Sequence, residues 1–167
     1  MAQVKLGDLT VNTNGDLPAA GSKLPAFVLT GNDLADISTE QFAGKKIILN
    51  IFPSIDTGVC ADSVREFNKR AASVGDTVVL CISRDLPFAM KRFCGAEGID
   101  KVVTASDFRR GGFADRFGVE MLDGKLRGLF ARSVVVADPS GTIRHSELVP
   151  AIGQEPDYDA AFRALTH

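Results

Sequence analysis

The residues of this chain best suited to chemistry are three cysteines and one threonine. Cys60 closes the run PSIDTGVC, Pro53 to Cys60, with Thr57 three residues before it. The run follows the apolar segment KKIILNIF and precedes residues at helical spacing, so a thiol sits where a strand gives way to a helix. The unpaired N–H groups of a helix N-terminus favour thiolate over thiol, and a thiolate is a nucleophile. A hydroxyl three residues earlier can hydrogen-bond the sulfur, or a polar molecule bound beside it. On local pattern alone, Cys60 reads equally as a core cysteine on an apolar stripe.

The other cysteines read differently. Cys81 lies inside VVLCI, where a thiol packs as a small apolar group and burial opposes ionisation, so it is expected to be inert. Cys94, in RFCGAEG, reads as a small residue closing a short helix beside Gly95; it gains meaning only if an oxidised Cys60 needs a second thiol. Thr57 stands where a CxxC motif would carry its first cysteine, which disfavours a thiol-disulfide oxidoreductase. Metal binding finds no CxxC or HxxxH, and the histidines are His145 in a predicted strand, read as half-exposed, and His167 at the chain end. A Cys-His hydrolase would need His145 as its base and is disfavoured too. GKLRGLFARS lacks the spacing of a phosphate-binding loop and reads as an ordinary loop.

The surrounding pattern supplies elements to hold these residues. Val4 to Val11 alternates around Gly7 and Asp8 as a β-hairpin. Phe27 to Leu29 is a short strand, followed by a polar segment from Thr30 to Gly44, and Lys46 to Phe52 has the length and branching of a buried central strand. Cys60, Val64, Phe67 and Ala71 recur at steps of four, three and four, the stripe of an amphipathic helix ending near Gly75. Thr77 to Ser83 is a second buried strand. Asp85 and Pro87 are expected to cap and open a helix through Phe93, with Gly95 as its stop. Val102 to Thr104 is a short strand, and Phe108 to Phe117 a helical stretch weakened by Gly111 and Gly112. Ser133 to Ala137 is a third apolar strand, Asp138 to Gly141 a turn, and Thr142 to Val149 the hairpin partner. Pro156 opens a last helix, Asp157 to Leu165. Alternating strands and helices ending in a hairpin and a helix predict an α/β, thioredoxin-like fold: a central mixed sheet flanked by helices, after an N-terminal β-hairpin.

With 167 residues, 45% of them apolar, and no break in composition, residues 1–167 read as one domain. A net charge of −2, with basic pairs no longer than Arg109–Arg110, gives no electrostatic case for nucleic acid. No apolar stretch approaches the roughly 20 residues of a membrane helix, and no leader pattern opens the chain, so the expected setting is the cytoplasm, with no membrane partner. Three cysteines, an odd number, then favour reactive or buried thiols over a disulfide framework.

PxxxTxxC, met by Pro53, Thr57 and Cys60, resembles the active-site pattern of the peroxiredoxins. Taken with SRDLPFAMKRFC, Ser83 to Cys94, the chain is similar over essentially its whole length to the thiol peroxidase subfamily of atypical two-cysteine peroxiredoxins. The resemblance implies that Cys60 is the peroxidatic cysteine, Cys94 the resolving cysteine, Thr57 the hydroxyl that orients peroxide and Pro53 the shield of the pocket. It makes Arg132, in ARSVVV, the active-site arginine, although a lone Arg at a strand start is by itself an ordinary surface residue. It further implies reduction of hydrogen peroxide and alkyl hydroperoxides, with preference for the latter, an intramolecular Cys60–Cys94 disulfide, thioredoxin as reductant and a homodimer. No metal, flavin or haem is required, because sulfur supplies both electrons. A redox sensor that uses the same disulfide without sustained turnover is the alternative. A disulfide needs Cα atoms within about 7 Å, so the DLPFAMKRFC helix and the first turn after Cys60 are expected to unfold locally.

Overall fold

The computed structural model describes residues 1–166; His167 lies outside the described residues. The chain opens with an antiparallel hairpin of β1 (Gln3–Leu6) and β2 (Leu9–Asn12), Val4 facing Val11 across it. Seven further strands form one sheet: β3 (Val28–Gly31), β4 (Asp36–Ser38), β5 (Lys46–Ile51), β6 (Thr77–Ser83), β7 (Val103–Ser106), β8 (Ser133–Ala137) and β9 (Ile143–Leu148), in the order β4-β3-β7-β6-β5-β8-β9. β5, β6 and β7 run parallel, while β3, β4, β8 and β9 join by antiparallel pairing, so the sheet is mixed.

Alternation along the central strands divides the core in two. Ile47, Leu49 and Ile51 of β5, Leu80 and Ile82 of β6 and Val135 of β8 face one side, where Phe27, Phe113, Phe117 and Phe130 fill the space. Phe113 and Phe117 stack there with centroids 4.2 Å apart. Ile48 and Phe52, Val79 and Cys81, and Val134 and Val136 face the other side, against α1 (Gly58–Ala71), α2 (Pro87–Glu97) and α4 (Tyr158–Arg163). Period-2 strands and a period-3.6 helix thus meet along one layer, and Cys60, Val64 and Phe67 form the helix side of it. A third, smaller cluster joins Val4 and Val11 of the hairpin to Met121, Ala131 and Ile152.

Several elements depart from the sequence expectation. The polar segment 30–44 contains edge strand β4 and a 3₁₀ turn, Thr39–Phe42, both too short to leave a periodic signal. The expected helix from Phe108 shrinks to α3 (Phe113–Phe117), because Gly112 at φ 95° starts it and Arg110 at φ 54° turns the chain before it. Helix α2 runs through Gly95 and stops at Gly98, whose φ of 65° supplies the left-handed residue of a C-terminal cap. Asp85 does not cap that helix; Leu86 holds the cap position and makes no side-chain cap bond. The final helix begins one residue later than expected, at Tyr158, because Asp157 caps it, accepting from the Ala160 N–H at 3.0 Å, and a 3₁₀ turn, Ala164–Thr166, completes it. No helix among the described residues is long and apolar enough to cross a membrane.

Candidate active site

Strand β5 delivers the chain to Pro53, and the loop 52–57 turns it into α1, whose first turn holds Cys60. The Cys60 side chain is fully buried, on the helix stripe that packs against β5 and β8. Thr57 occupies the N-cap position with extended backbone but makes no capping bond; its hydroxyl donates instead to the Ser54 carbonyl, at 2.9 Å. The first N–H groups of α1 have no acceptor within the helix and lack the usual side-chain cap, so the helix presents donors here.

Arg132, immediately before β8, is the largest side chain in the fully buried set, at 1% exposure. Its Nη1 donates to Cys60 Sγ at 3.3 Å, and its Nε and Nη2 donate to the Ile152 carbonyl at 3.2 and 2.8 Å. Among the described residues no carboxylate pairs with it. A buried cation demands compensation, and the group placed to supply a negative charge is the sulfur of Cys60. The surface reading of Arg132 is thereby set aside. Pro53, Thr57 and Arg132, together with Val59, Leu126 and Ile152, line a pocket of about 180 Å³ that opens beside this pair. Two larger hollows, of about 310 and 560 Å³, lie elsewhere, around Lys45 and Asp138 and along β4 and β7, without any of these residues.

All three cysteines are free thiols. Cys81 is enclosed in the sheet, and burial pushes its thiol up to about 12, with the Asn50 amide donating to it at 3.7 Å. Cys94 is half-buried in α2, and burial pushes its thiol up as well. Its neighbours Phe93 and Glu97 both meet Arg65 of α1: the guanidinium lies 5.4 Å from the Phe93 ring centroid and pairs with the Glu97 carboxylate. Arg65 is five residues past Cys60, about 7.5 Å further along the helix. Cys94 therefore sits beside the second turn of α1, outside the pocket. His145 lies on β9 opposite Val136, with Nε2 lacking a hydrogen-bond partner and 3.9 Å from Glu147, so it does not serve Cys60.

The resemblance implied one site of Pro53, Thr57, Cys60, Arg132 and Cys94; the fold gathers the first four around one pocket and leaves Cys94 outside it. Sequence reasoning missed the Ile152 carbonyl and Leu126, which carry no local chemical signal, and the Ser54–Asp85 contact, whose sign in the sequence was read as a helix cap.

The redoxin family model matches residues 19–162 of this chain. The chain belongs to the redoxin family, among the thiol peroxidases. This redoxin is 56% identical over 165 residues to the thiol peroxidase of Mycobacterium tuberculosis and to that of Mycobacterium bovis, with 99% of each chain covered. Its structure superposes on a peroxiredoxin-like protein from Aquifex aeolicus with a TM-score of 0.90 at 33% identity, covering 97% of this chain and 95% of that one. The thiol peroxidase from Chromobacterium violaceum, at 24% identity, shares the fold with a TM-score of 0.89, covering 96% of this chain and 93% of the other.

Proposed function

We propose that this redoxin is a thiol-dependent peroxidase acting on hydrogen peroxide and alkyl hydroperoxides. The observation that carries the proposal is the buried Arg132 guanidinium 3.3 Å from Cys60 Sγ with no carboxylate among the described residues to balance it. Such a pair stabilises the thiolate and offers a donor to negative charge developing beside it. The Thr57 hydroxyl, its proton given to Ser54, keeps lone pairs to accept from the peroxide O–H, and Pro53 shields the approach.

The Cys60 thiolate attacks the terminal peroxide oxygen; an S–O bond forms, the O–O bond breaks and the alkoxide or hydroxide leaves, taking a proton as it departs. Sulfur loses two electrons and becomes a sulfenic acid, while the peroxide gains them and becomes an alcohol or water. The Cys94 thiol then displaces water from the sulfenic acid, giving a Cys60–Cys94 disulfide. A thioredoxin-type dithiol returns two electrons and two protons and restores both thiols. The protein acts, on this proposal, as a homodimer in the reducing cytoplasm.

The test is NADPH oxidation coupled through thioredoxin and its reductase with cumene hydroperoxide. Sustained oxidation is expected from the wild type and none from Cys60→Ser. Cys94→Ser is expected to consume one equivalent of peroxide and then stop. A single stoichiometric event in the wild type identifies a sensor instead, and normal turnover by Cys94→Ser overturns the resolving assignment.

A further inference from the structure

Asp85 lies between the end of β6 and the start of α2, and its carboxylate reaches across to the loop of Cys60. Oδ1 accepts from the Ser54 hydroxyl at 2.7 Å, and Oδ2 accepts from the Ile55 N–H at 2.7 Å and from the Ser83 hydroxyl at 2.6 Å. No cation pairs with it among the described residues; its neighbour Arg84 is committed to Asp107 and Glu120. The charge is therefore balanced by hydrogen-bond donors, two of which belong to the loop between Pro53 and Thr57. Ser54 passes the constraint on: its hydroxyl oxygen accepts from the Asp56 N–H at 3.2 Å, and its carbonyl accepts from the Thr57 N–H at 3.2 Å and the Thr57 hydroxyl at 2.9 Å. The backbone of Asp85 is pinned in turn, since its carbonyl accepts from the Ser106 hydroxyl.

A continuous path thus runs from β6, through Asp85 and Ser54, to the threonine at the mouth of the pocket. Its origin is two residues before Pro87, the first residue of the helix that carries Cys94. On the peroxidase reading given above, we infer that Asp85 is a positioning residue. It holds the Cys60 loop in the arrangement that receives peroxide, and it joins that loop to the hinge from which α2 must move for Cys94 to reach Cys60. Charge-assisted bonds to a backbone N–H and a hydroxyl suit this task, because they are directional and can be broken without leaving a buried cation behind. The amide of Asp85→Asn keeps one acceptor for the Ile55 N–H but removes the charge and makes the Ser54 hydroxyl reverse from donor to acceptor, so charge-assisted bonds become weaker neutral ones and the latch loosens with little change in volume.

The experiment follows a single turnover without reductant. The chain has no tryptophan, so acid-quenched samples are resolved by intact mass into thiol, sulfenic acid and disulfide. With cumene hydroperoxide, Asp85→Asn is expected to lower the second-order rate of Cys60 oxidation by at least about tenfold, roughly the worth of one charge-assisted hydrogen bond. The peroxide-independent conversion of sulfenic acid to disulfide is expected to stay level or quicken. Ser54→Ala, which cuts one of the two loop bonds, is expected to move both steps in the same directions by less, and it carries the test should Asp85→Asn fail to fold. Unchanged oxidation rates in the folded variants overturn the inference, as does a parallel fall in both steps, which marks a merely structural residue. A wild type that leaves Cys60 unoxidised fails the peroxidase reading itself; a reactive wild type matched by its variants fails the latch alone.

Discussion

Arg132 and Cys60 illustrate how one residue's burial is resolved by another's chemistry. A guanidinium at 1% exposure is tolerated because each of its three nitrogens finds one of two acceptors, the Ile152 carbonyl and a sulfur able to become an anion. Cys81 meets the opposite fate: enclosed between sheet and helix, with no cation beside it among the described residues, it is held towards the protonated thiol by burial. Its ordinary value of 9.0 is pushed up to about 12 by burial. The unfolded chain therefore gives up this proton first, the native state holds more protons between those values, and stability falls as pH climbs from 9.0 towards 12. Urea unfolding at about pH 8 and about pH 10.5 should show a smaller alkaline loss in Cys81→Ala than in the wild type. The same variant should oxidise Cys60 with peroxide at the wild-type rate, since Cys81 takes no part in the pocket. The inert character of Cys81 was legible from VVLCI because apolar neighbours on a strand are a local property. The buried state of Arg132 was not, because it depends on Ile152, twenty residues on, folding back over it.

Helix α2 shows where element boundaries escape local reading. Gly95 and Gly98 are both plausible stops, and the choice is made by what the last turn can reach. Continuing through Gly95 carries Glu97 to Arg65 and keeps Phe93 beneath its guanidinium, and only then does Gly98 turn at φ 65°. A Cβ at either glycine meets open space, so backbone preference decides each substitution. Gly95→Ala should stabilise the protein by about 0.5–1 kcal/mol, because alanine loses less entropy in a helix interior. Gly98→Ala should destabilise it by about 1–2 kcal/mol, the cost of a left-handed alanine. Urea midpoints moving in opposite directions would bear out this boundary; a destabilised Gly95→Ala would place the end of the helix at Gly95 after all. By contrast, β5, β6 and β8 were legible almost to the residue, since long runs of Ile, Val and Leu leave no other solution than a buried strand.

Across the whole molecule the site is held from two directions. The hairpin fixes one: Lys5 N–H donates to the Pro150 carbonyl and Lys5 O accepts from the Ile152 N–H, both at 2.8 Å, so β1 anchors the very residue whose carbonyl clamps Arg132. The other is the Asp85 path, which ties the Cys60 loop to the root of α2. The hairpin side can stay in place through a catalytic cycle, because neither cysteine lies on it. On the proposed Cys60–Cys94 disulfide the Asp85 side must yield, because the neighbours of Cys94 meet Arg65, about 7.5 Å along α1 from Cys60, and a disulfide requires the two Cα atoms within about 7 Å. Opening free energy should therefore differ between the two supports, with the first turn of α1 and the length of α2 opening below the cost of global unfolding. Native-state hydrogen exchange on the reduced and the peroxide-oxidised protein is expected to show lost protection at 61–64 and 89–97 on oxidation, while β1, β5, β6 and β8 keep theirs. Equal protection of α1 and α2 in the two forms would mean that the disulfide forms without local unfolding, and loss across β1 and β8 as well would mean that the hairpin support yields with the other.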